Sequence, residues 1–185
     1  MRTKHVGIAG RVLGLAAAAA SAWLVASAAV FAFPSNDLTT PTDAIYFLAS
    51  DGGVKALSEL GVHASGTVVV SRPASIADNP RYAVCDQPGV VCLSPAPETT
   101  QGESEAFAAV AAERGWGSVT VVTQTTHVAR ARLLMKRCFP GTVHVVAVPV
   151  ERTPLSWLAG FAHESLGMVK AALTPGCRDH LPWGD

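Results

Sequence analysis

Five short apolar runs that alternate with helix-period patterns constrain this chain more than any other feature. They are residues 43–49 (DAIYFLA), 67–71 (TVVVS), 90–93 (VVCL), 118–122 (SVTVV) and 142–148 (TVHVVAV). They read as strands, and the first, which lacks the in–out alternation of a half-exposed sheet, reads as buried on both faces. Helical patterns follow the first at 54–60 with a stop at Gly61, the third at 103–115 with a stop at Gly115, and the fourth at 127–138. A last helix starts near Pro154, where Leu155, Trp157, Leu158, Phe161, Leu166 and Val169 supply a broad apolar face, and it stops before Pro175. Strand and helix in alternation predict an α/β, Rossmann-like three-layer domain with a mostly parallel sheet.

Residues 12–33 (VLGLAAAAASAWLVASAAVFAF) carry no charge and match the roughly 20 residues that a helix needs to cross the hydrocarbon core. Three of the 14 basic residues, Arg2, Lys4 and Arg11, precede this run, which predicts a cytoplasmic N-terminus and an outer domain. Two readings stay open. A retained transmembrane helix anchors the domain to the plasma membrane; a signal peptide cleaved near residues 26–28 or 30–32 releases it as a secreted protein. The resulting organisation is 1–11 a short cytoplasmic N-terminus, 12–33 the span or signal, 34–42 a turn-rich linker, and 43–185 the extracytoplasmic domain. Beyond the N-terminus 11 basic residues face 14 acidic ones, so nucleic acid is not an expected partner.

The four cysteines, Cys85, Cys92, Cys138 and Cys177, all fall on the outer side of this arrangement. An even number in an exported domain favours disulfides over metal or redox chemistry, and no metal site is expected. Of the three pairings, Cys85 with Cys92 and Cys138 with Cys177 are favoured, with buried free thiols as the alternative.

Ligands of open parallel sheets bind beyond the carboxyl ends of the strands, where helix N-termini offer backbone N–H groups. The stretch SVTVVTQTTHVAR (118–130) puts Thr123, His127 and Arg130 at that edge. His127 is the candidate catalytic residue, as acid, base or hydrogen-bond partner, and Arg130 three residues on is a candidate clamp for phosphate or carboxylate. Asp51, Gly52 and Gly53 form a turn whose amides could cradle an anion, or simply a tight turn needing positive φ. Thr100 and Glu103 fit a T-x-x-E capping box and lie at the same edge, which leaves them candidate ligand contacts. Arg132, Lys136 and Arg137 read as a solvated helix face. No motif specifies a covalent mechanism, and whether the protein is an enzyme stays open.

At these residues the chain resembles the SanA/YdcF/ElyC-like family of bacterial envelope proteins, which includes the vancomycin high-temperature exclusion protein. The likeness rests on DAIYFLASDGG, on TTQGES with Thr100 and Glu103, and on VTQTTHVARA with His127 and Arg130. It departs at Ser50-Asp51, where further glycine is usual, and at Gln124, where the family has serine. The resemblance implies a membrane-attached Rossmann-like domain with a role in envelope integrity or peptidoglycan metabolism. The expected partners are the membrane and an anionic small molecule or lipid-linked cell-wall intermediate. Alternatives are an enzyme that binds S-adenosylmethionine or a nucleotide, that cofactor being the one the resemblance suggests, and a non-catalytic envelope interaction module. Replacing His127 or Arg130 by alanine is expected to abolish function without unfolding the chain.

Overall fold

Strand β1 (Ala44–Phe47) lies mid-sheet, hydrogen-bonded in parallel to β2 (Thr67–Ser71) on one side and β4 (Ser118–Gln124) on the other. Adding β3 (Val90–Leu93) and β5 (Thr142–Val148) gives an all-parallel sheet in the order β3-β2-β1-β4-β5. The computed structural model describes residues 2–37, 40–60, 66–174 and 176–177. All five predicted strands are present; the predicted stop at Gly61 lies outside the described residues.

The core is two-sided because alternate strand residues face opposite ways. Tyr46, Val69, Val119, Val121 and Val145 pack on one face with Phe107 and Ala111 of α3 (Thr100–Arg114) and Val128, Ala131 and Met135 of α4 (Val128–Cys138). Phe107 is its hub, with ring centroids 5.0 Å from Tyr46, 5.4 Å from Phe139 and 6.0 Å from Trp116. On the other face Phe47, Val68, Val70 and Val122 meet Ala56 and Leu57 of α2 (Asp51–Leu60), together with Tyr82 from a 3-10 helix at Pro80–Asp86. That 3-10 helix lies inside the proline-rich stretch between β2 and β3, and the disulfide Cys85–Cys92 ties it to β3. Gly115 ends α3 in the left-handed region at φ 68°, where a side chain would be strained.

The linker is part of the domain rather than a free tether. Asp37 accepts from Val145 N and pairs with Arg132, while Asn36 Oδ1 accepts from Ala147 N, so the open edge of β5 is covered. Asp43 accepts from Gly117 N, Ser118 N and Ser118 Oγ, which fixes the entry to β1. Arg132 is thus an edge clasp. Arg137 donates to the carbonyls of Ala171 and Thr174 at the end of α5 (Pro154–Leu173), so neither arginine belongs to a merely solvated face.

The N-terminal helix α1 (Arg2–Ser27) continues as a π-helical turn, Ala28–Ala32. Its segment Gly10–Ala32 has a mean hydropathy of 1.9 and is long and apolar enough to cross a membrane or to serve as a signal sequence. The second disulfide, Cys138–Cys177, joins the end of α4 to the chain beyond α5. Both disulfides accord with an oxidising compartment.

Helix α5 turns most of its apolar face outward. Of the six residues named for that face only Phe161 is buried; Leu155 is 77% exposed, Leu158 44%, Leu166 71% and Val169 55%. The inward side instead carries Glu164, 2% exposed, and the small residues Gly160 and Gly167. A Cβ on Gly167 would stand 2.8 Å from Arg130 Cδ, so the missing side chain is what admits the arginine stem.

Candidate functional site

In a parallel sheet the strand order reverses where consecutive crossovers leave in opposite directions, and a crevice opens there beyond the strand ends. Here that point lies between β1 and β4. Loops from both strands, together with the first turns of α2, α3 and α4, line a cleft of about 770 Å³ that includes Ser50, Asp51, Thr99, Thr100, His127 and Arg130. Three helix N-termini therefore converge on one space, and their dipoles and unpaired amides favour a negative group. Helix α5 supplies a further wall through His163, Glu164, Leu166 and Lys170.

A continuous hydrogen-bond chain underlies the cleft. Arg130 Nη1 donates to Thr100 Oγ1 at 2.7 Å, and Thr100 Oγ1 lies 3.1 Å from His127 Nε2. On the far side of the ring, His127 Nδ1 is 3.0 Å from Thr123 Oγ1, which is 3.0 Å from Ser50 Oγ. Ser50 Oγ in turn accepts from Gly53 N. One consistent assignment lets Thr100 donate to Nε2 and places the ring proton on Nδ1, facing Thr123.

The sequence-derived candidates Thr100, Thr123, His127 and Arg130 therefore meet in one network. His127 closes a 3-10 turn, Thr125–His127, and is the N-cap of α4. Burial, helped by the charge of Arg130, lowers its pKa to about 4 despite the opposing charge of Glu164. It is a neutral imidazole at pH 7, with both nitrogens engaged.

The capping box is corrected by one residue. Thr99 is the N-cap of α3, its Oγ1 accepting from Gly102 N, while Thr100 faces His127 and Arg130. Glu103 does not reach back to its own helix; Oε1 accepts from Ala49 N at 2.8 Å, bridging α3 to the end of β1. Burial pushes its carboxyl upward, opposed by that Ala49 N–H and by Arg130.

Gly52 and Gly53 have ordinary negative φ, so no positive-φ turn explains them. A Cβ on Gly52 would lie 2.5 Å from Gln124 Cα, and one on Gly53 2.2 Å from the Leu48 carbonyl oxygen. Glycine is required because α2 starts in contact with the ends of β1 and β4. Asp51 is exposed at the cleft margin.

Glu164 was missed from the sequence. It holds Arg130 through two bonds, Nε to Oε2 at 2.8 Å and Nη2 to Oε1 at 3.0 Å. Arg130 is consequently a neutralised, oriented cation and not a free clamp. A carboxylate on the glycine-bearing side of an apolar helix was the available signal. Ser50 and Gln124, read only as departures from the family pattern, and Lys170, which belongs to no motif, also line the cleft.

His127 makes a pH prediction. Its folded pKa lies below the 6.5 of an unperturbed histidine, so the unfolded chain takes up a proton first as pH falls. Its contribution is complete above pH 6.5 and is lost between about 6.5 and 4, a shift corresponding to roughly 3 kcal/mol. Denaturant titrations at pH 7 and pH 4.5 should show this slope in the wild type and a flatter one in His127→Gln. An NMR titration of His127 near 6.5 would refute it.

Fold and site define a parallel α/β domain with a crevice at its topological switch point, preceded by an apolar helix. No protein-family model matches the chain, and neither a curated protein nor a solved structure matches it.

Proposed function

We propose that this is a membrane-anchored extracytoplasmic envelope protein whose crevice binds an anionic cell-wall or lipid-carrier intermediate. The observation that carries the reading is the convergence of three helix N-termini on a cleft large enough for a small headgroup. Outside placement rests on Arg2, Lys4 and Arg11 before the apolar helix and on the two disulfides. The resemblance to SanA/YdcF/ElyC-like envelope proteins supports the same class.

Charge narrows the ligand. Asp51, Glu98, Glu103 and Glu164 line the cleft against Arg130 and Lys170, and Arg130 is matched by Glu164. A polyanion is disfavoured by that balance. One phosphate near Lys170 and the helix N-termini, with sugar or other hydroxyls donating to carboxylates, suits it better.

The test is a thermal-shift series on the full chain in detergent with a polyprenyl monophosphate, a nucleotide-linked cell-wall sugar and S-adenosylmethionine. A ligand at a hundred times its dissociation constant adds about 2.7 kcal/mol of stability. Either of the first two should raise Tm, and exposed Lys170→Ala should reduce the shift without changing the unliganded Tm. A shift with S-adenosylmethionine alone would favour a cofactor-dependent enzyme; no shift at all would favour an interaction module.

A further inference from the structure

Helix α5 buries its one carboxylate, Glu164, and exposes its leucines, where a helix on a water-facing domain surface would bury the apolar side. Leu155, Leu158, Ala159, Leu166, Val169 and Leu173 are exposed and recur at three- and four-residue spacings, with half-buried Ala162 between them. They form one stripe along about 27 Å of helix.

The surroundings of the stripe say what covers it. The anchor α1 packs along α5: Phe31 stacks near Phe161 with centroids 6.3 Å apart, Trp157 continues that ladder at 5.6 Å, and Trp23 Nε1 donates to Ser165 Oγ. Trp23 and Phe31 are separated by about 12 Å of helix. Beside this seam α1 presents Leu24, Val25, Val30 and Phe33, the last 79% exposed. An apolar medium that covers the anchor to its end at Phe33 also reaches α5. The fold holds α5 in place from behind, through Arg130–Glu164, the Arg137 bonds to Ala171 and Thr174, and the disulfide Cys138–Cys177.

We propose that α5 is a second membrane-contacting element, its Leu155–Leu173 stripe seated in the bilayer leaflet on the domain's side, next to the anchor. Leu166 and Lys170 belong both to this outer surface and to the cleft lining, so the cleft opens beside the stripe. A lipid-borne ligand enters it from that side. The proposal rests on the retained-anchor reading and deepens the functional one by making the ligand a lipid rather than a soluble precursor.

The test is photo-crosslinking of the full chain in vesicles of phosphatidylethanolamine and phosphatidylglycerol. Benzoylphenylalanine is placed singly at Leu155, Val169 or Leu173, with Leu15 on α1 as the bilayer reference and exposed Glu113 on α3 as the aqueous reference. Lipid adducts on α5 comparable to those at Leu15, and absent at Glu113, are the expected result. Adducts to a second copy of the chain at the α5 positions, or none there while Leu15 still labels lipid, would overturn the seating and leave headgroup binding by the cleft intact. Failure of Leu15 to label lipid would overturn the anchor itself, and the seating with it.

Discussion

Arg130→Ala should lower stability by about 3–5 kcal/mol, the cost of breaking a buried ion pair by removing one partner. The pair has side-chain exposures of 15% and 2%, so the stranded Glu164 carboxylate would have neither a partner nor water. Thr100 would lose its donor at the same time, and the space beside Gly167 would empty. A loss of that size would accompany any loss of function, so Arg130→Ala is expected to affect stability as well as the cleft. Arg130→Met with Glu164→Leu should recover most of the stability, since a packed apolar pair of similar volume avoids the desolvation cost. Equilibrium denaturation of the two variants decides it. A cost below about 1 kcal/mol for Arg130→Ala would mean that the pair behaves as an exposed one. Binding assays on Arg130→Ala alone would not separate ligand contact from folding, which is why exposed Lys170 is the better probe of the cleft.

Removing the Cys138–Cys177 disulfide should cost about 4 kcal/mol on the chain-entropy relation for a closed loop of 39 residues, against about 2 kcal/mol for Cys85–Cys92 with its separation of 7. The larger effect should concentrate in α5, which the bond fastens to the end of α4. Hydrogen exchange of Cys138→Ser/Cys177→Ser would show early opening of residues 154–173 and, with it, loosening at Glu164 and Arg130. Equal losses for the two cysteine pairs, or opening spread evenly over the sheet, would refute this placement of the constraint.

Several features were legible because they depend on local composition. Strands buried on both faces must be apolar and β-branched along their length, and TVVVS and SVTVV, which the structure buries almost throughout, show that pattern. Gly115 marked the end of α3 because only glycine takes the left-handed region there without strain. The favoured cysteine pairings, one closing a short loop and the other tying a helix end to the chain beyond α5, are the two the structure shows. His127 and Arg130 could be placed at the strand ends for the same reason, their position just past a buried strand.

Other features depend on what lies across the space from a residue. In TTQGES two adjacent threonines are equally good caps, and Thr99 takes the role because Thr100 is drawn to Arg130 and His127 on another element. Glu103 abandons its own helix for an amide at the end of β1, a partner 54 residues away. The glycines of DGG were readable as an anion cradle until the ends of β1 and β4 were seen against them. Sequence determined which residues of α5 are apolar, since periodicity is a property of one helix. Which way that face turns was decided only in three dimensions, because burial requires a neighbour. The domain offered a guanidinium and two glycine notches to the polar side, and the leucines were left facing outward beside α1.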